Sequence, residues 1–367
     1  MILKNCDMRT LSEKTQGKEI VCYGIGDEFH NMMNNYNTYP WCANIKYLVD
    51  GNSKKTGTKE SVNDNNLSVY SLEEFLSIAH DNMVIIVTCG AFKEIVTQLN
   101  TIPKLDNVVC YIYYFMLGLS EQQEIQIAQT NELRIPPVIH YCWFGGKELP
   151  DLYKRCIDSW YTYCPNYEIK RWDESNCDIE ENLFAKQAYS VGKFGFVPDY
   201  FRLKIIYEHG GIYLDTDVEA IRNFDDLRRN EAFCGMEVPG RVALGLGFGA
   251  VKGNETVHYM LERYQKMQFI DADGKMDETP SPIWQTKDMH ELGMQYGNTV
   301  HKVNGMTVYP VEVLSPKNIV TGELDVTKYS YSIHHFDGSW VTGAALERKQ
   351  QRELDVAKLR ALMSKEV

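Results

Sequence analysis

Apolar runs and amphipathic segments alternate through the first third of the chain. Four apolar runs have the length of buried strands: residues 19–23, 45–49, 83–88 and 108–115. Three segments between them have a helical pattern: residues 27–33, 72–79 and 92–99. Such alternation is typical of a parallel sheet covered by helices. We therefore predict a Rossmann-like domain over residues 1–118.

A polar segment separates this pattern from a second one. Residues 119–134 are polar and helix-prone, and Ser120 with Gln123 three positions later is typical of a capping box. Pro136 and Pro137 follow, and proline disfavours helical backbone at the residue before it. The segment is therefore predicted to be a helical connector at a domain boundary.

Residues 135–345 repeat the alternation with more tryptophan, tyrosine and glycine. Strands are predicted at residues 137–144, 167–172 and 212–214, and helices at residues 152–163 and 201–208. This pattern predicts a second, larger α/β domain. Residues 346–367 have leucines at helical spacing and predict a C-terminal helix.

Composition and charge narrow the class of protein. The chain has 367 residues, of which 44% are hydrophobic and 24% charged, as in soluble globular proteins. Its net charge of −12 argues against binding nucleic acid through the overall field. No apolar run approaches the roughly 20 residues of a membrane span, and no secretory signal is visible. The ten cysteines form no Cys-x-x-Cys pair. These features favour a cytoplasmic protein with reduced thiols.

Two aspartates one residue apart carry the strongest chemical signal. Asp215 and Asp217 follow an apolar strand that begins directly after Gly210 and Gly211. Residues two apart on an extended chain point to the same face, and open α/β sheets bind ligands at the carboxyl ends of their strands. Two carboxylates there suit Mg²⁺ or Mn²⁺. The alternative is a turn in which one aspartate caps the next segment.

Asp199 and Arg202 form a second candidate pair. On a helix, residues three apart share a face, so the two side chains are expected to be neighbours. They form either a structural ion pair or a joint ligand contact. Arginine binds phosphate through paired hydrogen bonds, and a carboxylate accepts hydrogen bonds from sugar hydroxyls.

A different chemistry is suggested near the N-terminus. Gly24 and Gly26 follow one predicted strand and Asp50 ends the next, as in a dinucleotide-binding turn. Phe29 stands where a third glycine normally packs the helix against the strand. A tight turn that merely needs small residues explains the pattern as well. The corresponding alternative function is sugar-nucleotide binding or oxidoreduction by the N-terminal domain.

Four motifs occur in order along the second domain: IPPVIHYCWFGG at 135–146, FVPDYFRL at 196–203, YEHGGIYLDTDVE at 207–219 and IHHFDGSW at 333–340. Together they resemble the DXD sugar-binding glycosyltransferases of family 32. That family includes capsular polysaccharide and mannosyl enzymes, and it is related to the clostridial glucosylating toxins. The chain departs from it at Pro198, where relatives usually carry serine.

The resemblance implies a GT-A fold, a nucleotide-sugar donor, Mn²⁺ or Mg²⁺, and retention of the anomeric configuration. It implies that Trp143 stacks on the nucleobase. It implies that Asp199 holds donor sugar hydroxyls and Arg202 the sugar or diphosphate. Asp215 would contact ribose or bind the metal through water, and Asp217 would be the direct metal ligand.

Other site residues are less sharply defined. The resemblance places metal or phosphate contacts at His334 or His335, and at Ser339 and Trp340, without deciding between the two histidines. Glu237, after a predicted strand, is a candidate for the acceptor side, with the glycine-rich run 244–249 as a tight turn near it. The alternative for Glu237 is an exposed position on a solvated loop.

The function expected from these features is a metal-dependent hexosyltransferase. We expect a UDP-sugar as donor and a saccharide or lipid-linked saccharide as acceptor, in surface polysaccharide synthesis. Without a membrane span, such an enzyme would meet a lipid-linked acceptor peripherally at the cytoplasmic membrane face. A GDP-mannose-dependent mannosyltransferase is the alternative donor class. A partner-recruiting module and a protein-glycosylating enzyme are further alternatives.

Overall fold

The computed structural model describes residues 1–63, 65–117, 119, 124–128, 130–338 and 343–363, the last with side chains from residue 346 onward. The described residues form two compact units. The first comprises those within 1–123, 320–323 and 343–367, and the second those within 124–319 and 324–342.

The first unit is built on one mostly parallel sheet. Its strands are β1 (Ile2–Leu3), β2 (Glu19–Tyr23), β3 (Ile45–Val49), β4 (Lys59–Val62), β5 (Asn65–Tyr70), β6 (Met83–Val87) and β7 (Val109–Ile112). Its first helices are α1 (Thr10–Lys14), α2 (Asp27–Tyr36), α3 (Leu72–Ile78), α4 (Phe92–Leu99) and α5 (Tyr113–Met116). The order β1-β7-β6-β2-β3-β5-β4 is parallel throughout except for the pair β4–β5. The Rossmann-like pattern predicted for this part is confirmed.

Two predictions within the first unit need correction. The run 108–115 is not one strand, because β7 ends at Ile112 and the next four residues form α5. All four side chains of α5 are buried, so strand and helix share one uninterrupted apolar pattern. The polar stretch 51–66, for which no element was predicted, contains β4 and the start of β5 at the edge of the sheet.

The second unit contains the larger sheet and a short ribbon. Its strands are β8 (Val138–Cys142), β9 (Glu168–Trp172), β10 (Gly211–Tyr213), β11 (Val218–Ala220), β12 (Ala232–Glu237), β13 (Arg241–Ala243), β14 (Phe248–Ala250), β15 (His301–Val303), β16 (Met306–Tyr309) and β17 (Ser332–His334). Its helices are α6 (Asp151–Tyr163), α7 (Leu183–Ser190), α8 (Val197–His209), α9 (Glu255–Lys266), α10 (Ser281–Glu291) and α11 (Val311–Leu314). The predicted strands and helices of this part are confirmed to within a few residues.

The larger sheet has the order β15-β16-β12-β14-β10-β8-β9, with β13 paired to β12. Strands β9, β8 and β10 are parallel, while β14 runs antiparallel to both β10 and β12. Strands β11 and β17 form a separate antiparallel ribbon. Ile139, Ile212, Leu214 and Phe233 belong to the buried core of this unit, so the strands that carry the site are anchored by apolar burial.

The segment predicted as a helical connector is not helical in its described residues, which are 119, 124–128 and 130–134. Ser120 and Gln123 lie outside the described residues. Long-range partners satisfy the backbone instead: Arg134 N and Ile135 N both donate to Arg228 O, at 2.9 and 3.0 Å. The prediction is therefore wrong here, because tertiary hydrogen bonds outweigh local helix propensity.

The C-terminal stretch forms α12 (Ala344–Met363) and groups with the first unit. Val356 and Leu359 are its buried apolar residues. The helix predicted there is confirmed. Among the described helices, none is both long and apolar enough to cross a membrane.

Candidate metal and donor site

A double-glycine turn delivers the aspartate pair to the edge of the larger sheet. Gly210 and Gly211 end α8 and begin β10 with φ of 68° and 106°. A Cβ at Gly211 would lie 2.8 Å from His140 Nε2 and 2.9 Å from Val138 O. Only glycine fits this conformation and this space. Strand β10 can therefore pass close to β8, and Asp215 follows its carboxyl end.

Three potential ligands converge beyond this strand end. Single ligand atoms of Asp215, Asp217 and His334 all lie within 4.8 Å of one another. The ribbon pairing of Val218 with His334 brings the histidine to the aspartates, and His334 Nε2 lies 3.1 Å from Asp217 Oδ1. His335 points elsewhere, with Nε2 2.9 Å from Glu219 Oε2. The structure thus places His334, rather than His335, at the aspartate pair.

Charge and hydrogen bonding keep Asp217 ionised. Burial raises its pKa, but the His334 charge and the hydrogen bonds to the carboxylate outweigh burial and lower the pKa to about 2. One of these bonds is donated by Asp337 N to Asp217 Oδ2 at 3.0 Å. Burial lowers the pKa of His334, but the carboxylates of Asp217, Asp215 and Glu237, with Asp217 foremost, together raise it by more. Its Nδ1 is buried without a hydrogen-bond partner among the described residues.

Asp199 and Arg202 face the same aspartates from α8. Arg202 Nη2 lies 3.0 Å from Asp199 Oδ1 and 3.4 Å from Asp215 Oδ1. Burial raises the pKa of Asp199 to about 6, although the Arg202 charge opposes this. Pro198 occupies the first turn of α8, and its carbonyl accepts a hydrogen bond from Arg202 Nε at 3.2 Å. The departure from serine therefore leaves this arrangement intact.

The glycine-rich run 244–249 lies against Asp215. Asp215 N donates to Gly245 O at 3.1 Å. A Cβ at Gly245 would overlap Asp215 Oδ2 and lie 3.3 Å from Arg202 Nη1. Gln285 of α10 holds this turn by accepting a hydrogen bond from Leu244 N at 2.9 Å. The sequence analysis placed this run near Glu237 but not against Asp215, and it missed Gln285, because only the fold brings these residues to the motif.

Trp143 is joined to the site through two intervening residues. Its ring meets Tyr153 edge-on, with centroids 5.5 Å apart, and its Nε1 donates to Lys147 O at 2.6 Å. Tyr153 OH donates to Asp337 Oδ2 at 2.8 Å, and Asp337 N donates to Asp217. Ser339 and Trp340, the remaining predicted contacts, lie outside the described residues.

Glu237 is the last residue of β12 and only 8% exposed, so it does not lie on a solvated loop. Burial raises its pKa to about 7, and the charges of His334 and Arg241 oppose this rise. Its carboxylate accepts no hydrogen bond within the described parts of the chain. A buried carboxyl group is therefore held beside the His334 charge.

Two features of the N-terminal glycine turn oppose dinucleotide binding. Asp50 Oδ2 accepts from Ile25 N and Oδ1 from Asn52 N, both at 2.8 Å. Each carboxylate oxygen thus accepts one backbone hydrogen bond from the chain itself. Asp27 and Glu28 occupy the first turn of α2, where their charge opposes a pyrophosphate.

Comparison with known proteins agrees with the geometry of the second unit. Residues 150–234 match the family described as "Glycosyltransferase sugar-binding region containing DXD motif". This stretch is similar to the DXD glycosyltransferases. It contains Asp199, Arg202, Asp215 and Asp217 but not His334. The predicted family resemblance is confirmed over residues 150–234, and the sheets and helices of the structure confirm the predicted α/β class.

Individual relatives are distant. Inositol phosphoceramide mannosyltransferase 3 of Schizosaccharomyces pombe is 24% identical over 164 residues, which are 42% of this chain and 44% of that protein. The chain thus matches less than half of that relative. The solved PaToxG glycosyltransferase has a TM-score of 0.31 at 15% identity, covering 43% of this chain and 69% of that one.

An aspartate semialdehyde dehydrogenase II from Vibrio cholerae has a TM-score of 0.22 at 12% identity, covering 80% and 69% of the two chains. TM-scores this low do not establish a shared fold for either solved structure.

Proposed function

We propose that the protein is a retaining, metal-dependent hexosyltransferase that uses a UDP-sugar donor and a saccharide or lipid-linked saccharide acceptor. The observation that carries the proposal is the convergence of Asp215, Asp217 and His334 beside Arg202. This arrangement combines ligands for a divalent cation with a cationic side chain for phosphate. A nucleoside diphosphate needs both.

The donor set fits Mn²⁺ or Mg²⁺. Asp215, Asp217 and His334 offer two carboxylates and an imidazole, a combination suited to Mn²⁺ in particular. The orphaned His334 Nδ1 and the ionised Asp217 are consistent with a ligand group. When bound, the cation stabilises the negative charge that develops on the leaving diphosphate.

The remaining residues divide between donor and acceptor. Asp199 accepts hydrogen bonds from donor sugar hydroxyls, and Arg202 donates to the sugar or diphosphate. Trp143 stacks on the base, and Glu237 faces the acceptor. Retention of the anomeric configuration is compatible with front-face substitution or with double displacement, since no sequence motif identifies an enzymic nucleophile. For Ser339 and Trp340, the proposed donor contacts rest on the motif alone.

A second donor class is supported by the printed name of one relative, a mannosyltransferase. GDP-mannose in place of a UDP-sugar would leave the roles of the metal and of Arg202 unchanged, because both act on the diphosphate. Only the base and sugar contacts would differ. Competition of UDP and GDP for the same site distinguishes the two.

We place the enzyme in the cytoplasm, peripherally at the membrane face when its acceptor is lipid-linked, in surface polysaccharide synthesis. In this proposal the enzyme reaches such an acceptor by contact with the membrane surface. Cosedimentation with acceptor-bearing vesicles tests this. A protein that stays in the supernatant contradicts the lipid-linked acceptor.

The deciding experiment measures nucleoside diphosphate release from a panel of UDP- and GDP-sugars, with Mn²⁺ or Mg²⁺ and a set of saccharide acceptors. We expect release from one donor, dependent on metal and lost in Asp217→Asn. Asp273→Asn, an isosteric change at an exposed position, is the matched control. Equal activity of Asp217→Asn and Asp273→Asn would contradict the proposed site.

A further inference from the structure

We propose that His140 is a positioning residue that fixes the two metal-binding aspartates by holding both ends of the segment 210–214. The inference rests on the proposed function for the role of Asp215 and Asp217. His140 lies in the middle of β8, touches neither aspartate and is 2% exposed. Its action is therefore on the backbone that carries them.

The geometry of this hold is direct. The side chain reaches the start of the segment, with Nε2 3.0 Å from Gly210 O. The backbone reaches its end, because Leu214 N donates to His140 O at 3.0 Å. Between these two points His140 is in parallel register with Tyr213. One residue thus sets the entry and the exit of the strand that delivers Asp215.

A third partner fixes the tautomer of His140. Trp172 Nε1 donates to His140 Nδ1 at 3.0 Å, so Nδ1 is an acceptor and the ring proton is on Nε2. That proton is donated to the Gly210 carbonyl. Burial is the main reason that the pKa of His140 is lowered to about 4. The charges of His209 and Lys170 act in the same direction, and the hydrogen bond to the Gly210 carbonyl opposes them. The imidazole is therefore neutral, and each of its two nitrogens makes a hydrogen bond within the fold.

The segment 210–214 depends on the hydrogen bonds of His140 because it begins with two glycines. Gly210 and Gly211 have positive φ and no Cβ to restrict the backbone. An apolar ring in place of His140 would fill the volume but leave the Gly210 carbonyl and the Trp172 N–H without a partner. The turn would then relax, and Asp215 and Asp217 would move relative to His334 on the separate β17.

The test uses the full chain and two readouts: the Kd of Mn²⁺ in the presence of UDP, and hydrogen exchange of residues 210–217. We expect His140→Phe to raise this Kd by about tenfold and to speed exchange in that segment, because the buried Gly210 carbonyl and Trp172 N–H lose their hydrogen-bond partner. His140→Gln keeps an N–H donor and an acceptor and should restore most of the affinity.

Val257→Ala, a core truncation in α9, is the control for stability alone and should change neither readout at a similar loss of Tm. If His140→Phe matches Val257→Ala in both readouts, the inference is overturned. If His140→Phe does not fold, Trp172→Phe, which removes the N–H to Nδ1 and leaves His140 in place, is judged by the same criteria. If the wild type binds no Mn²⁺ with UDP, the proposed function fails. Hydrogen exchange in the variants then decides the inference.

Discussion

Arg202 lies between the carboxylates of Asp199 and Asp215 and is 5% exposed. Its positive charge therefore compensates their negative charge away from solvent. We expect Arg202→Leu to lower the free energy of unfolding by about 3–5 kcal/mol, because it leaves buried negative charge uncompensated. Urea denaturation measures the loss. Arg134→Leu removes an exposed ion pair and should cost less than about 1 kcal/mol. Equal losses would show that Arg202 does not compensate Asp199 and Asp215.

Gly245 offers a second test at the residue scale. A methyl group at this position would overlap Asp215 Oδ2, and Asp215 or the turn must move. We expect Gly245→Ala to weaken Mn²⁺–UDP binding by about tenfold and to cost about 1–3 kcal/mol of stability. Gly90→Ala is the control, because a Cβ there meets nothing within 4 Å. Calorimetric titration of both variants compares them, and wild-type affinity in Gly245→Ala would contradict the close approach.

Glu237 predicts a pH dependence of stability. Burial raises its pKa to about 7 in the folded protein, above the ordinary value of 4.5. Between these values the folded state holds a proton that the unfolded state has lost, so stability falls as the pH rises from about 4.5 to 7. The shift corresponds to about 3 kcal/mol. Glu237→Gln should remove this part of the fall, as measured by unfolding at each pH.

Glu231→Gln, at an exposed position, should follow the wild-type profile and serves as its control. Parallel profiles for Glu237→Gln and wild type would mean that Glu237 is solvated in the folded protein. That result would also remove the reason to place Glu237 on the acceptor side.

The sequence predicts site residues where chemistry is local to one motif. Asp215 and Asp217 share a face because they are two apart on an extended chain, and the structure brings them together. His334 and His335 are adjacent, so the sequence does not distinguish them. Only the pairing of β17 with β11 turns His334 toward Asp217 and His335 toward Glu219.

At the scale of elements, prediction succeeds where the apolar residues of a segment keep one spacing, helical or extended, from its first residue to its last. Strand β2 and helix α4 have the bounds predicted for them, since their apolar positions match a single element. It fails where burial is complete, as at the β7–α5 junction, and where polar residues form an edge hairpin, as at β4. At the β7–α5 junction the deciding interaction is packing with distant residues such as Tyr36, whose ring meets that of Tyr113. At β4 it is pairing with the neighbouring strand β5, which in turn pairs with β3.

Helix α6 positions the other side of the aspartate motif. Trp160 Nε1 donates to Val218 O at 2.8 Å, and Ser159 Oγ accepts from Ala220 N at 2.8 Å. These bonds anchor β11, which begins directly after Asp217. We expect Trp160→Phe to cost about 1–2 kcal/mol and to raise the Kd of Mn²⁺ with UDP by about threefold.

Trp284→Phe makes the same chemical change on α10, where the ring lies beside the Arg263 guanidinium. It should leave Mn²⁺–UDP affinity unchanged. Chemical denaturation and calorimetry of the two variants separate stability from binding. If both variants lose affinity equally, the anchoring of β11 by α6 has no specific effect on the site.

At the scale of the whole molecule, the net negative charge affects the proposed binding of an anionic donor. The net charge of −12 repels a nucleoside diphosphate at long range, and two of the carboxylates that contribute to it, Asp215 and Asp217, lie at the site itself. Arg202 offsets part of this charge, but it is already paired with Asp199 and Asp215. Under the proposed function we therefore expect donor binding to need a divalent cation, and nucleotide affinity to depend on metal more strongly than on ionic strength.

Thermal unfolding of the full chain tests this dependence and the two candidate nucleotide sites together. UDP with Mn²⁺ should raise Tm, by mass action equivalent to about 2.7 kcal/mol when the ligand is at 100 times its Kd. UDP with EDTA should leave Tm unchanged because the metal is removed. NAD⁺ should leave it unchanged under any condition, because Asp27 and Glu28 place negative charge at the helix start where a pyrophosphate would bind. Asp217→Asn should lose the Mn²⁺–UDP shift, and Asp50→Asn should retain it. A Tm increase with NAD⁺ that disappears in Asp50→Asn would instead assign nucleotide binding to the N-terminal unit.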